Sequence, residues 1–161
     1  MKYKEVYKQE ISDWCLPASL QTLLKRRGSS VSQAEIAHNL HPYNGGFDLD
    51  LDLLNQFLQN YDLKADFYSP NTSQIELDLF LSEQLEMQRD ILAALNRAKI
   101  VSGLKQKNIP HVVLIEDYNT LRDIVKIVDP ANREIIKSPY NKLRQAIDYR
   151  QDSRYGLYTI N

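Results

Sequence analysis

Gln9-Glu10-Ile11-Ser12-Asp13-Trp14-Cys15-Leu16-Pro17-Ala18-Ser19-Leu20 holds the only cysteine of the 161-residue chain, and the surroundings of that cysteine decide how the rest is read. Leu16, Leu20, Leu23 and Leu24 recur at helical spacing, and Gly28 stands where such a helix would end. Ser12 or Asp13 is the expected N-cap, and Pro17 is compatible only with the first turn of a helix. This places Cys15 at a helix start, where unpaired N–H groups and the helix dipole favour negative charge. A thiol attacks in its ionised form, so the position suits a nucleophile. The plain alternative is a buried, inert thiol, and the other residues have to decide between the two.

Composition narrows the field. Apolar residues make up 43% and charged residues 25%, the balance of an ordinary globular protein, and the length predicts one domain over residues 1–161. Twenty basic side chains against 21 acidic ones leave a net charge of −1, with no basic stripe that would mark a nucleic-acid partner. One cysteine makes no internal disulfide, which fits a reducing compartment. Met1-Lys2-Tyr3-Lys4-Glu5 lacks the apolar run of a signal peptide, and no apolar stretch is long enough for a membrane span. The expectation is a cytoplasmic protein, the alternative being an effector exported without an N-terminal signal.

Along the chain the reading is helices first and strands later. Ser32-Gln33-Ala34-Glu35 is a capping box, with Val31 and Ile36 placed as a hydrophobic staple, and predicts a helix to about Asn39. A third helix is expected after Gly45-Gly46, with Leu53, Leu54, Phe57 and Leu58 on one side. Leu63 to Tyr68 reads as a short strand, and Gln74 to Leu85 and Ile91 to Ala98 as helices. Ile100 to Leu104, His111 to Glu116 and Ile124 to Val128 are short runs rich in β-branched residues and read as strands. Asp117-Tyr118-Asn119 and Asp129-Pro130-Ala131-Asn132 read as turns, and Leu157 to Ile160 as a closing strand. The pattern predicts an α+β fold, a helical part over about 9–98 packed on an antiparallel sheet over about 99–161.

A thiol nucleophile needs a base, an orienting group for that base and a donor for the oxyanion. The chain has three histidines. His38 and His41 fall at the end of the second helix, where capping roles are ordinary. His111 opens an apolar strand after Pro110, and the Ile124–Val128 strand would pair with it as a hairpin. Asp129 ends that second strand, so residues 18 apart in sequence come side by side and Asp129 can orient the imidazole. Gln9, six residues before Cys15, can offer its amide beside the Cys15 backbone N–H as an oxyanion donor. The order Gln, Cys, His, Asp is a specific signal where each element alone is weak.

Gln9, Asp13-Trp14-Cys15-Leu16-Pro17-Ala18-Ser19-Leu20 and Gly28 resemble the opening of papain-like cysteine peptidases, in particular those that process double-glycine bacteriocin leader peptides. Pro110-His111-Val112-Val113-Leu114 and Ile127-Val128-Asp129-Pro130 are similar to the later part of that family. Leu16 stands where the family usually has glycine or another small residue. The resemblance covers about Gln9 to Ile160. It implies a papain-like fold with the site between helices and sheet, and a thiol mechanism with no metal or organic cofactor. The function expected is hydrolysis of a peptide or protein substrate by a stand-alone cysteine peptidase, with association with an export system as a further possibility. The alternatives are an acyltransferase or deamidase using the same thiol, and a peptide-binding module without turnover.

Other signals point elsewhere and are weaker. Asp48-Leu49-Asp50-Leu51-Asp52 starts like a calcium loop, but Leu53 and Gln59 replace the glycine and glutamate that such a loop needs, leaving an acidic helix start. His38 and His41 lack the further ligands of a zinc site. Gly45-Gly46-Phe47 reads as a turn or as a loop lining a substrate path. The tyrosines at 140, 149, 155 and 158 read as half-buried sheet and surface positions.

Overall fold

The computed structural model describes residues 1–40 and 49–161. His41, the Gly45-Gly46-Phe47 stretch and Asp48 lie outside the described residues. Three helices come first: α1 (Cys15–Arg26), α2 (Gln33–Leu40) and α3 (Leu51–Leu58). β1 (Ala65–Tyr68), α4 (Leu77–Glu86) and β2 (Asp90–Asn96) follow, then β3 (Pro110–Asn119), β4 (Ile124–Asp129), β5 (Glu134–Pro139), α5 (Tyr140–Ala146) and β6 (Gly156–Ile160). The six strands form one sheet in the order β1-β6-β2-β3-β4-β5, and every neighbouring pair is antiparallel.

Local chemistry accounts for the helix boundaries. Residues 11–14 make a turn, with Trp14 N–H donating to the Ile11 carbonyl at 3.0 Å, so α1 starts one residue later than an Asp13 cap would have it and two later than a Ser12 cap would. Trp14 occupies the N-cap position, with no side-chain cap, and the Trp14 carbonyl accepts the Ala18 N–H at 3.0 Å. Cys15 is then the first helical residue and Pro17 the third, where its missing N–H leaves no intrahelical bond unmade. At the other end Gly28 adopts φ +91°, and two bonds close a Schellman motif: Gly28 N–H to Lys25 and Ser29 N–H to Leu24. Ser32 Oγ accepts the Glu35 N–H at 3.1 Å, as the capping box predicts, and Val31 and Ile36 share the core beneath. Asp50 caps α3 by accepting from the Leu53 N–H, which is the acidic helix start expected of that segment.

The sheet is covered on both faces. Leu92 and Ala94 of β2, Val112 and Leu114 of β3 and Val128 of β4 pack under α1, α2 and α3. The alternate residues Ile91, Ala93, Leu95, Val113, Ile115, Val125 and Ile127 pack with α4 and α5. This corrects the reading of Ile91–Ala98 as a helix. Asp90–Asn96 is a central strand buried on both sides, so its apolar run has no period-2 alternation to give it away. The sheet therefore draws two strands from the part expected to be helical, and α5 lies within the part expected to be sheet. Ile100–Leu104 is not a strand: a short 3₁₀ turn at Arg97–Lys99 leads into bends there. Asp117–Asn119 is not a turn, because β3 continues through it past a bulge between Ile115 and Asp117. Tyr155 and Tyr158 are buried rather than half-buried.

Candidate active site

Helix α1 lies on β3, and Ser19 Oγ approaches the Val112 carbonyl at 3.5 Å. That contact sets the second turn of α1, one turn on from Cys15, against the residue that follows His111. Strands β3 and β4 pair with Leu114 opposite Val128, which puts Asp129 one pleat along from His111 on the same side of the sheet. His111 Nε2 is 2.6 Å from Asp129 Oδ1, and both side chains are buried. Cys15 is a hydrogen-bonding neighbour of the same imidazole. With Nε2 engaged by Asp129, Nδ1 is the ring nitrogen left for the sulfur. Three of the four residues singled out in the sequence thus meet at one point.

The electrostatics follow from these contacts. Burial by itself would lower the His111 pKa, but the hydrogen bonds to Asp129 and Cys15, and the negative charge each can carry, outweigh it and raise the value to about 9. Burial would likewise raise the Asp129 carboxyl. The imidazolium, the Ala131 N–H and Arg97 outweigh that in turn and lower it to about 2. A protonated ring is therefore the favoured form beside the sulfur across the neutral range. This arrangement can hold an ionised thiol and can hand a proton to a leaving group.

Gln9 sits differently from its expected pose. Its Nε2 donates to the Ser12 carbonyl at 2.6 Å and to the Ile11 carbonyl at 3.3 Å, within the loop that leads to Cys15. Its Oε1 is buried and has no partner among the described residues. The amide thus braces the turn before the helix. Cys15 is only 3% exposed, so the sulfur lies beneath the surface rather than at the mouth of a groove.

One residue at the site was not foreseen. Arg97, in the 3₁₀ turn after β2, donates from Nε to Asp129 Oδ2 at 2.8 Å. Reading Ile91–Ala98 as a helix hid it. Read as a strand paired with β3, with Leu95 opposite His111, the same segment brings Arg97 to the His111 end of the sheet. Among the described residues no group of three or more His, Cys, Asp or Glu side chains gathers as a metal-ligand set.

A thiol at a helix start beside an imidazole–carboxylate pair on an antiparallel sheet is the arrangement of papain-like proteins. Residues 2–157 match the model of the Peptidase C39-like family, and the chain belongs to that family. Solved structures share the fold. A candidate C39-like peptidase from Bacillus anthracis superposes with a TM-score of 0.71 at 15% identity, covering 100% of this chain and 96% of that one. The peptidase domain of Streptococcus ComA, a bifunctional ABC transporter, gives 0.64 at 16% identity over 96% and 94%. The double-glycine motif protease of an AMS/PCAT transporter, solved with its leader peptide, gives 0.62 at 16% identity over 96% and 88%. No curated protein matches the sequence. Family and fold set the chain among the cysteine peptidases.

Proposed function

We propose that this chain is a single-domain cysteine peptidase that cleaves a peptide or protein substrate through Cys15, His111, Asp129 and Gln9. The observation that carries the reading is the shared imidazole, with Asp129 at 2.6 Å from Nε2 and Cys15 as its other partner. In this scheme the Cys15 sulfur attacks the scissile carbonyl and forms the acyl-enzyme as the C–N bond breaks. His111 gives its proton to the departing amine, then takes one from the water that releases the acid. Asp129 keeps the ring turned to the sulfur. The Cys15 N–H, one of the first four of α1 that the helix itself leaves unpaired, donates to the oxyanion, and the Gln9 amide joins it by turning from the Ile11 and Ser12 carbonyls that it meets here.

An extended peptide is the substrate class we assign, in keeping with the leader peptide held by one structural neighbour. The cytoplasm is the proposed location, alone or beside an export system. The test is incubation with a diverse peptide library, with new termini read by mass spectrometry. Wild type should produce a consistent cleavage motif, and Cys15→Ala and His111→Ala none. Asp129→Asn should retain a remnant, since asparagine still accepts from the ring. Cleavage that survives Cys15→Ala would overturn the reading. Capture of the acyl group by added amine in preference to water would make the protein an acyltransferase.

A further inference from the structure

We infer that Arg97 is a positioning residue, which holds the Asp129 carboxylate in the orientation that keeps His111 turned toward Cys15. This inference rests on the peptidase reading for its consequence in turnover, but not for its geometry. Asp129 is fully buried and its two oxygens are divided among three donors. Oδ1 takes His111 Nε2 at 2.6 Å and the Ala131 N–H at 2.9 Å, and Oδ2 takes Arg97 Nε at 2.8 Å. Without Arg97, Oδ2 would be an anionic oxygen buried with none of these donors. The carboxylate would then turn to seek water or another donor, and its grip on His111 would loosen.

The turn that presents Arg97 is itself tied to the segment leading to His111. Asn96 Oδ1 accepts from the Ala98 N–H at 3.1 Å and the Ile109 N–H at 2.9 Å, and its Nδ2 donates to the Lys107 carbonyl at 2.9 Å. The Arg97 N–H donates to the Ile109 carbonyl at 2.8 Å. Ile109 lies two residues before His111, so one turn fixes both partners of the imidazole–carboxylate pair: His111 through its backbone and Asp129 through the guanidinium. Arginine suits the task because its charge persists at any pH and its planar fork sets direction as well as attraction. Among the described residues, Cys15 from α1 and Arg97 from this turn are the charged or titratable groups that act most strongly on the pair.

The experiment is an NMR titration of the imidazole signals in the full chain, for wild type, Arg97→Ala, Arg97→Lys and Arg97→Gln. The chain has three histidines, so the His111→Gln spectrum assigns the signal of interest. In Arg97→Ala the downfield Nε2 proton should broaden away, and the His111 midpoint should fall toward its ordinary value, because the loosened Asp129 contact outweighs the lost repulsion between the guanidinium and the imidazolium. Arg97→Lys should restore part of the shift. Arg97→Gln keeps a donor without the charge, and carries the same test should the alanine variant not fold. On a cleavable peptide, kcat should fall with KM nearly unchanged. An unmoved His111 midpoint, with only a lower Tm, would make Arg97 a structural tie and overturn the inference. Should wild type cleave nothing while the midpoint still moves in Arg97→Ala, the peptidase reading fails and the positioning role stands.

Discussion

The backbone N–H of Gln9 donates to the carbonyl of Pro130 at 2.9 Å, which bonds the loop leading to Cys15 directly to the residue after Asp129. The two sides of the site, one carried on α1 and one on the sheet, therefore share a fixed point. The bond uses main-chain atoms, so a change of the Gln9 side chain leaves it in place.

Gln9→Ala consequently separates chemistry from scaffold. The variant keeps this main-chain bond but loses the two side-chain bonds to the Ile11 and Ser12 carbonyls, so it should fold with a modestly lower Tm, while turnover slows by roughly 10²–10³, the usual effect of losing one oxyanion donor. Circular dichroism and steady-state kinetics on one preparation give both values. An unslowed Gln9→Ala enzyme would show that the side chain only braces the Ser12 turn.

The shifted groups also set a pH window for stability. The His111 pKa is raised to about 9 in the fold from 6.5, so its stabilising contribution is fully present below about pH 6.5 and disappears as pH rises through 9. The Asp129 pKa is lowered to about 2 from 3.8, so its contribution is present above about pH 4 and is lost as pH falls toward 2. The gap in Tm between wild type and His111→Gln should therefore be widest between about pH 4 and 6.5, and should narrow by pH 9.5. A gap that widens with rising pH would contradict the sign of the His111 shift.

A second buried carboxylate offers a contrast. Asp90, at the start of β2, is fully buried and accepts from Arg27 Nε at 2.6 Å, Arg26 at 3.0 Å and the Tyr3 hydroxyl at 2.8 Å. Removing it strands two guanidinium groups at a partly buried position. Asp90→Ala should lose about 3–5 kcal/mol of stability in chemical denaturation, the usual cost of breaking a buried ion pair from one side. The folded fraction should keep the wild-type His111 midpoint, since none of these partners touches the imidazole. A loss under 1 kcal/mol would mean that water replaces Asp90 at little cost.

Sequence reading succeeded where a local signal also carried the tertiary contact. The α1 start is announced by Pro17 and its end by Gly28. His111 and Asp129 stand at the ends of two strands joined by a short hairpin, so their meeting follows from pairing alone. It failed where burial erased the pattern. Asp90–Asn96 is apolar on both faces because helices cover both sides, and its Leu and Ala content suits a helix as well as a strand. The edge strand β5 and the seven-residue α5 are too short for periodicity to declare them. Arg97 was hidden as a consequence, because its place depends on β2 being a strand.

Reactivity of the single thiol separates a working site from an inert one without any substrate. The His111 pKa is raised to about 9, so the imidazole that interacts with Cys15 keeps its proton through the neutral range. Iodoacetamide should then alkylate the native protein appreciably at about pH 6, where an ordinary thiol of pKa ~8.5 is well under one per cent ionised. Cys15 is the only cysteine, so a single mass increment reports on it alone. His111→Ala should lose most of the reaction at pH 6 yet still react at pH 9, where ionisation no longer needs the imidazolium. The low exposure of Cys15 makes this a demanding test, because a sulfur sealed in the core would resist the reagent at every pH and react only after denaturation. That second pattern in the native protein would overturn the catalytic reading and leave a peptide-binding module of the same fold.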